Sequence, residues 1–142
     1  MREILFRGKR TDNGEWVFGM AWIFKEKTMI CPWHEGMCKY DTGYYPVQVI
    51  PETFGQYSGS TDKNGKKIFE GDIIKIDDKY VRYIEYSGEC SAFVKFRYID
   101  KLTSEFSGYL GKGYDNYKQT IEIVGNIHDN PELLKGGETN GK

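Results

Sequence analysis

Very little in this sequence is built for covalent chemistry or for crossing a membrane. It has 3 cysteines, 4 prolines and 2 histidines in 142 residues. An odd cysteine count cannot pair completely within one chain, and without a signal sequence it fits a reducing compartment in which Cys31, Cys38 and Cys90 are free thiols. No apolar run approaches the roughly 18 to 20 residues that span a bilayer. Met1 to Arg7 alternates apolar with charged residues where a signal peptide would be apolar, so the expected location is the cytoplasm. Charge of one sign is missing too: 20 Lys and Arg stand against 21 Asp and Glu, a net charge of -1. No global field then draws nucleic acid or an anionic membrane, and contact with either would need a local patch. GxGxxG, P-loop and HExxH patterns are absent, which removes the commonest nucleotide and metalloprotease readings and leaves no cofactor to expect.

What the chain does have is aromatic weight. Aromatics make up 15% of the residues, with 11 Tyr and 8 Phe, a bias that favours pleated sheets. The length suits one domain or two small units, enough to bury roughly two-thirds of the unfolded surface. The most legible stretch is Gln56 to Ile76, QYSGSTDKNGKKIFEGDIIKI. There Asp62, Asn64 and Gly65 make a turn, because Asp and Asn bond nearby backbone and Gly accepts positive φ. Glu70-Gly71-Asp72 is a second tight change of direction, and Ile73 to Ile76 is a β-branched run of strand length. These carboxylates lie among glycines and lysines as turn-formers, not as a reaction centre.

That stretch, with IEIVGNIHDNPELL downstream and the opening MREILFRGKR, resembles the YopX family of phage and prophage proteins. The resemblance spans Met1 to about Lys135. Tyr57-Ser58-Gly59-Ser60-Thr61-Asp62 stands where members commonly read Tyr-Thr-Gly-Leu-Thr-Asp, and His128 stands where a Tyr is usual; neither change alters the turn chemistry. The resemblance implies a small phage-encoded accessory protein and supplies no catalytic residues.

Read in order, residues 2 to 8 alternate as a strand does, and Thr11 to Gly14 is a hairpin turn. Glu15 to Phe24, EWVFGMAWIF, shows no solvent face and reads as a central strand, with Gly19 marking a bulge or a close backbone approach. Phe6, Gly8, Asn13, Gly14, Val17 and Phe18 echo Tyr57, Gly59, Asn64, Gly65, Ile68 and Phe69 without gaps, so two similar hairpins are expected. Residues 31 to 46 form a loop, and Val47 to Ile50 returns to strand. Tyr80 to Tyr86 and Ser91 to Ile99 make a further hairpin, with Tyr80, Arg82, Ile84 and Tyr86 on one face and Val81, Tyr83 and Glu85 on the other. Asp100 to Gln119 reads as a long aromatic loop and Thr120 to Val124 as the last strand. Asn130 to Lys135 opens a helical turn, with Asn130 as N-cap and Pro131 at its first position. Residues 136 to 142 should be disordered.

The fold expected is mainly β: about ten short antiparallel strands and hairpins, a C-terminal half resembling a small SH3-like barrel, and one short C-terminal helical turn. The division is an N-terminal β unit over 1–58 and a barrel-like unit over 59–135, as two units or as one continuous domain. Cys31, His34 and Cys38 offer three zinc-type ligands in one loop, but no second close pair completes a tetrahedral set, so no metal is expected. No signature of a cysteine nucleophile surrounds them either, and the expected protein is not an enzyme. Binding is assigned to Tyr83, Tyr86, Arg97, Tyr98, Tyr109 and Tyr114, since aromatic loops carried on strands concentrate contacts. Asp62, Asn64, Gly65, Gly71 and Asp72 are the structural turn residues. The expected partners are a second copy of the chain and a host or phage protein. The alternative is single-stranded nucleic acid, stacked on those tyrosines beside Lys95 and Arg97.

Overall fold

A computed structural model describes residues 3–32, 46–89, 91–98, 104–110 and 120–135, with Tyr98 described by its backbone alone. Eleven strands appear among them. In chain order they are β1 (Phe6–Lys9), β2 (Trp16–Phe24), β3 (Lys27–Pro32), β4 (Val47–Gln48), β5 (Gly55–Thr61), β6 (Lys67–Phe69), β7 (Asp72–Ile76), β8 (Tyr80–Ser87), β9 (Ala92–Tyr98), β10 (Ser104–Tyr109) and β11 (Ile121–Asn126). One short helix, α1 (Glu132–Lys135), ends the described chain. The protein is mainly β, as its aromatic and β-branched content implies. The chain forms two compact units, Met1–Tyr57 and Ser58–Lys142.

In the first unit β1, β2 and β3 pair antiparallel in sequence, and β4 pairs with the far side of β3. The Asn13-Gly14 turn joins β1 to β2 with Gly14 at φ 73. Gly19 stays in register with both neighbours, Phe6 on β1 and Pro32 on β3, so no bulge forms there. Its lack of a side chain answers a close approach instead: a Cβ would overlap the carbonyl of Cys31. Ile30 and Val49 are buried. The buried Arg7 guanidinium lies 4.7 Å over the Trp16 ring, a cation-π contact strengthened by exclusion of water. β2 was expected to be covered; its far half is instead exposed, from Phe18 through Met20, Trp22, Ile23 and Phe24.

β5 crosses the boundary between units, pairing through Gly55 and Gln56 with β1, and neighbours β6 further on. In the second unit five strands are ordered β10-β9-β8-β7-β11, a four-strand meander from β7 to β10 followed by β11, which returns beside β7. All its pairings are antiparallel. No pairing joins β10 to β11 among the described residues, so the sheet order agrees with a mainly β half while closure into an SH3-like barrel stays an expectation. Ile68, Ile74, Ile76 and Ile84 form the core, with Tyr80, Phe93, Leu110, Ile121 and Ile123 packed against it. Four buried isoleucines suit this place, because β-branched side chains pack well on a pleated surface.

Two local expectations differ. The stretch expected as a loop from Asp100 holds β10, which pairs with β9 from Ser104↔Tyr98 to Tyr109↔Val94 through an irregularity between Phe106 and Gly108. Asn130 offers its backbone carbonyl to Leu133, as an N-cap does, but its side chain accepts the N–H of Asn126 instead of one from the helix. The expectations for residues 33–45, for 111–119 and for the 136–142 tail lie outside the described residues.

Candidate functional site

Two arrangements use residues singled out by sequence, and they do different things. The first is a clamp built on Asp62. The Asp62 carboxylate accepts the N–H groups of Asn64 and Lys66, each at 2.9 Å, which closes its own turn, and that of Ile123 at 3.1 Å, far along the chain. Burial works against its charge, yet the three backbone donors outweigh that, and the carboxyl is held below its ordinary pKa. Lys63 continues the clamp, donating its N–H to the carbonyl of Ile121 and bridging to Glu122 at 2.9 Å. Gly65, at φ 79, makes the turn possible.

A second set of contacts joins the same two stretches further on. Gly71, at φ 88, accepts the N–H of Ile127, and a Cβ on it would stand 3.1 Å from His128 Nε2. The buried Asp72 carboxylate accepts the Phe69 N–H at 2.8 Å. The Asp62 carboxylate and Asp72 Oδ2 accept backbone N–H groups, whereas Glu122 meets the Lys63 ammonium. The residues Asp62, Asn64, Gly65, Gly71 and Asp72 therefore fasten β11 and the segment after it to the turns around β6.

The second arrangement is an aromatic row across the meander. Tyr83 on β8 stacks on Phe96 of β9 with ring centroids 5.7 Å apart, Phe96 meets Phe106 of β10 edge-on at 6.4 Å, and Phe106 meets Tyr109 at 5.4 Å. Register explains the alignment, since Tyr83, Phe96 and Phe106 stand directly opposite one another on neighbouring strands. The Tyr83 hydroxyl bonds the Ser104 hydroxyl at 2.7 Å, and partial burial raises its pKa. Phe106 is half exposed at 49%.

The binding residues read from sequence do not all gather here. Tyr83 and Tyr109 join the row, while the backbone of Tyr98 pairs with Ser104 at the end of β9. Tyr86 lies on the opposite face, half exposed and edge-on to Phe93 at 5.3 Å. Tyr86 stands three positions after Tyr83, and an odd spacing on a regular strand divides a pair between faces. Arg97 shares the face of Tyr86 and lies 3.6 Å from Glu105 on β10. Tyr114 is outside the described residues. Phe96 and Phe106 were missed by the sequence reading; the signal for Phe106 was the alternating Ser104-Glu105-Phe106, which a loop assignment passes over.

The described residues hold no group of three metal-ligating side chains. Cys31 is a half-buried free thiol, while His34, Cys38 and Cys90 lie outside the described residues. Among the described residues no helix is long and apolar enough to cross a membrane.

The family model described as YopX protein matches residues 5–135. The chain belongs to the YopX family. That match runs from the residue before β1 to the end of α1 and so takes in both the Asp62 clamp and the aromatic row. Comparison with curated proteins finds no match. The two stretches that carry the YopX resemblance, around Asp62 and around Ile123, are thus the two sides of one clamp.

Proposed function

We propose that this protein is a non-enzymatic phage or prophage accessory protein that works in the cytoplasm of a bacterial host, by contact with another protein and by association with its own copies. Membership of the YopX family supports the phage setting. The observation that supports contact is the aromatic row Tyr83, Phe96, Phe106 and Tyr109, set on three paired strands with Phe106 half exposed. Rigid aromatic side chains supply large contact area at low cost in ordering, which is what interface centres are made of.

Single-stranded nucleic acid is the second reading, because bases stack on such rings. Against it stands charge. The net charge is -1, and Arg82, Lys95 and Arg97, the cations next to Tyr83 and Phe96 in sequence, fall on the other face by strand parity, Arg97 beside Glu105. A nucleic-acid groove would need cations on the face that carries the rings.

A gel shift with mixed oligonucleotides at two salt concentrations, run beside a pull-down from prophage-carrying cells, separates the two. The protein reading expects no shift at low salt and a captured protein that Phe106→Ala and Tyr109→Ala release, with a loss of about 2 kcal/mol for a hot-spot ring. A salt-sensitive shift abolished by Tyr83→Ala would replace it with the nucleic-acid reading.

A further inference from the structure

The distal half of β2 carries an apolar surface that the Asp62 clamp and the aromatic row do not use. Met20, Trp22, Ile23 and Phe24 are exposed at 50%, 53%, 65% and 57%. Trp22 and Phe24 lie on one face of the strand and Ile23 on the other, so the hairpin end is apolar on both sides. It is also an open edge. Pairing of β2 with β1 stops at Phe6↔Gly19, whereas pairing with β3 continues to Phe24↔Lys27. Met20 to Phe24 therefore has a strand on one side and, among the described residues, none on the other.

We infer that a second copy of this chain pairs with this edge, β2 against β2 across a two-fold axis near Trp22. The inference rests on the self-association in the function proposed above and names the surface that performs it. Backbone geometry sets the register. In a two-residue hairpin loop such as Lys25-Glu26 the flanking pair is hydrogen-bonded, so Phe24, Trp22 and Met20 bond towards β3 while Ala21 and Ile23 turn their N–H and C=O groups to the open side. Antiparallel pairing then sets Ala21 against Ile23 of the second copy, Trp22 against Trp22, and Met20 against Phe24.

Every one of these residues is apolar, so the strand turned end for end meets itself without opposing a charge, as an isologous contact requires. At about 200 Å² for a large side chain, roughly half open, four residues of each copy contribute on the order of 800 Å² together. The paired backbone and the neighbouring Phe18 bring the contact to the lower end of specific interfaces, roughly 1,200 Å². A reversible, concentration-dependent dimer is the expected result. Lys25, Glu26 and Lys27 place charges of both signs at the apex of the hairpin and the chain carries a net charge of -1, so charge around the patch does not single out an anionic lipid surface.

Analytical ultracentrifugation of the full chain over a concentration series tests this, with circular dichroism to confirm folding. Wild type should pass from monomer to dimer, and Ile23→Lys, a charge placed on the open edge, should raise the dissociation constant at least about 10-fold. A second variant reads the register: Trp22→Cys should form a disulfide-linked dimer under mild oxidation, since directly opposed residues of a non-hydrogen-bonded pair lie within disulfide reach. Gln48→Cys, exposed on β4, and the wild type should not. A chain that stays monomeric at every concentration would overturn both the self-association and this surface. A dimer unchanged by Ile23→Lys, with no linkage through Trp22→Cys, would overturn the β2 edge alone and leave self-association standing elsewhere.

Discussion

β2 and β7 read alike as apolar strands, yet one is left open and the other is enclosed. In β7, Ile73 and Ile74 are fully buried and Ile76 nearly so, with β8 on one side and β11 on the other. In β2 the buried arrangement stops at Gly19, and the five large apolar residues from Phe18 to Phe24 are exposed. The difference in composition is instructive. β7 uses branched aliphatic residues that fill a core, while β2 uses Trp, Met and Phe, the types enriched where proteins meet partners. An apolar run alone does not show that a strand is covered by its own chain.

The contrast is broken most sharply at the enclosed strand. Ile74→Ala removes a fully buried side chain in contact with the Ile68, Ile76 and Ile84 cluster. It should cost about 2–5 kcal/mol, the usual range for truncating a buried isoleucine. Urea unfolding followed by circular dichroism measures it, and a loss under about 1 kcal/mol would mean that this cluster is not the centre of the core.

Asp62→Ala comes next, at about 2–3 kcal/mol, because it strands three backbone donors, of which the Ile123 N–H ties β11 to the turn. The same carboxylate sets a pH dependence. Its folded pKa is depressed, so its stabilisation is fully present above the ordinary carboxylate value of about 4 and is lost as pH falls through the lower folded value. Unfolding midpoints taken from pH 7 down to pH 3 should fall more steeply in wild type than in Asp62→Asn. Parallel curves would show that the charge of Asp62 contributes nothing to stability.

Much of this was legible because it is local. Asp62, Asn64 and Gly65 announce their turn through chemistry that acts over four residues, and the echo between Phe6–Phe18 and Tyr57–Phe69 foretold two hairpins with positive-φ glycines, Gly14 at 73° and Gly65 at 79°. What stayed hidden depends on distant partners. Nothing local says that Asp62 also reaches Ile123, or that Ser104 to Tyr109 finds β9 to pair with, since a strand is defined by its neighbour. The faces of Tyr83 and Tyr86 were legible from strand parity alone, whereas the exposure of Trp22 and Phe24 depends on what lies over them.

Gly65→Val sharpens the comparison at the level of the backbone. Open space surrounds a Cβ at this position, so crowding plays no part, but φ 79 is a region that a β-branched residue enters only under strain. The expected loss is about 1–3 kcal/mol, read as a lowered urea midpoint at unchanged slope. Gly65→Asn, which tolerates positive φ, should recover most of it. Equal losses for Val and Asn would assign the effect to something other than the backbone angle.

The smallest effect is expected at the open strand, and it completes the comparison. Ile23 is exposed at 65% on a strand whose outer edge has no described partner, so Ile23→Ser removes little buried area and leaves no cavity. At concentrations low enough to keep the chain monomeric, its unfolding free energy should stay within about 0.5 kcal/mol of wild type, the range for surface positions away from special features. Ile74→Ala, a change of similar size on the enclosed strand, should cost several times more. At higher concentrations the wild type should gain stability through mass action on the dimer, and Ile23→Ser should not. A loss above about 1.5 kcal/mol in the monomer would mean that this end of β2 is enclosed by its own chain. The two strands would then differ only in which side chains they bury.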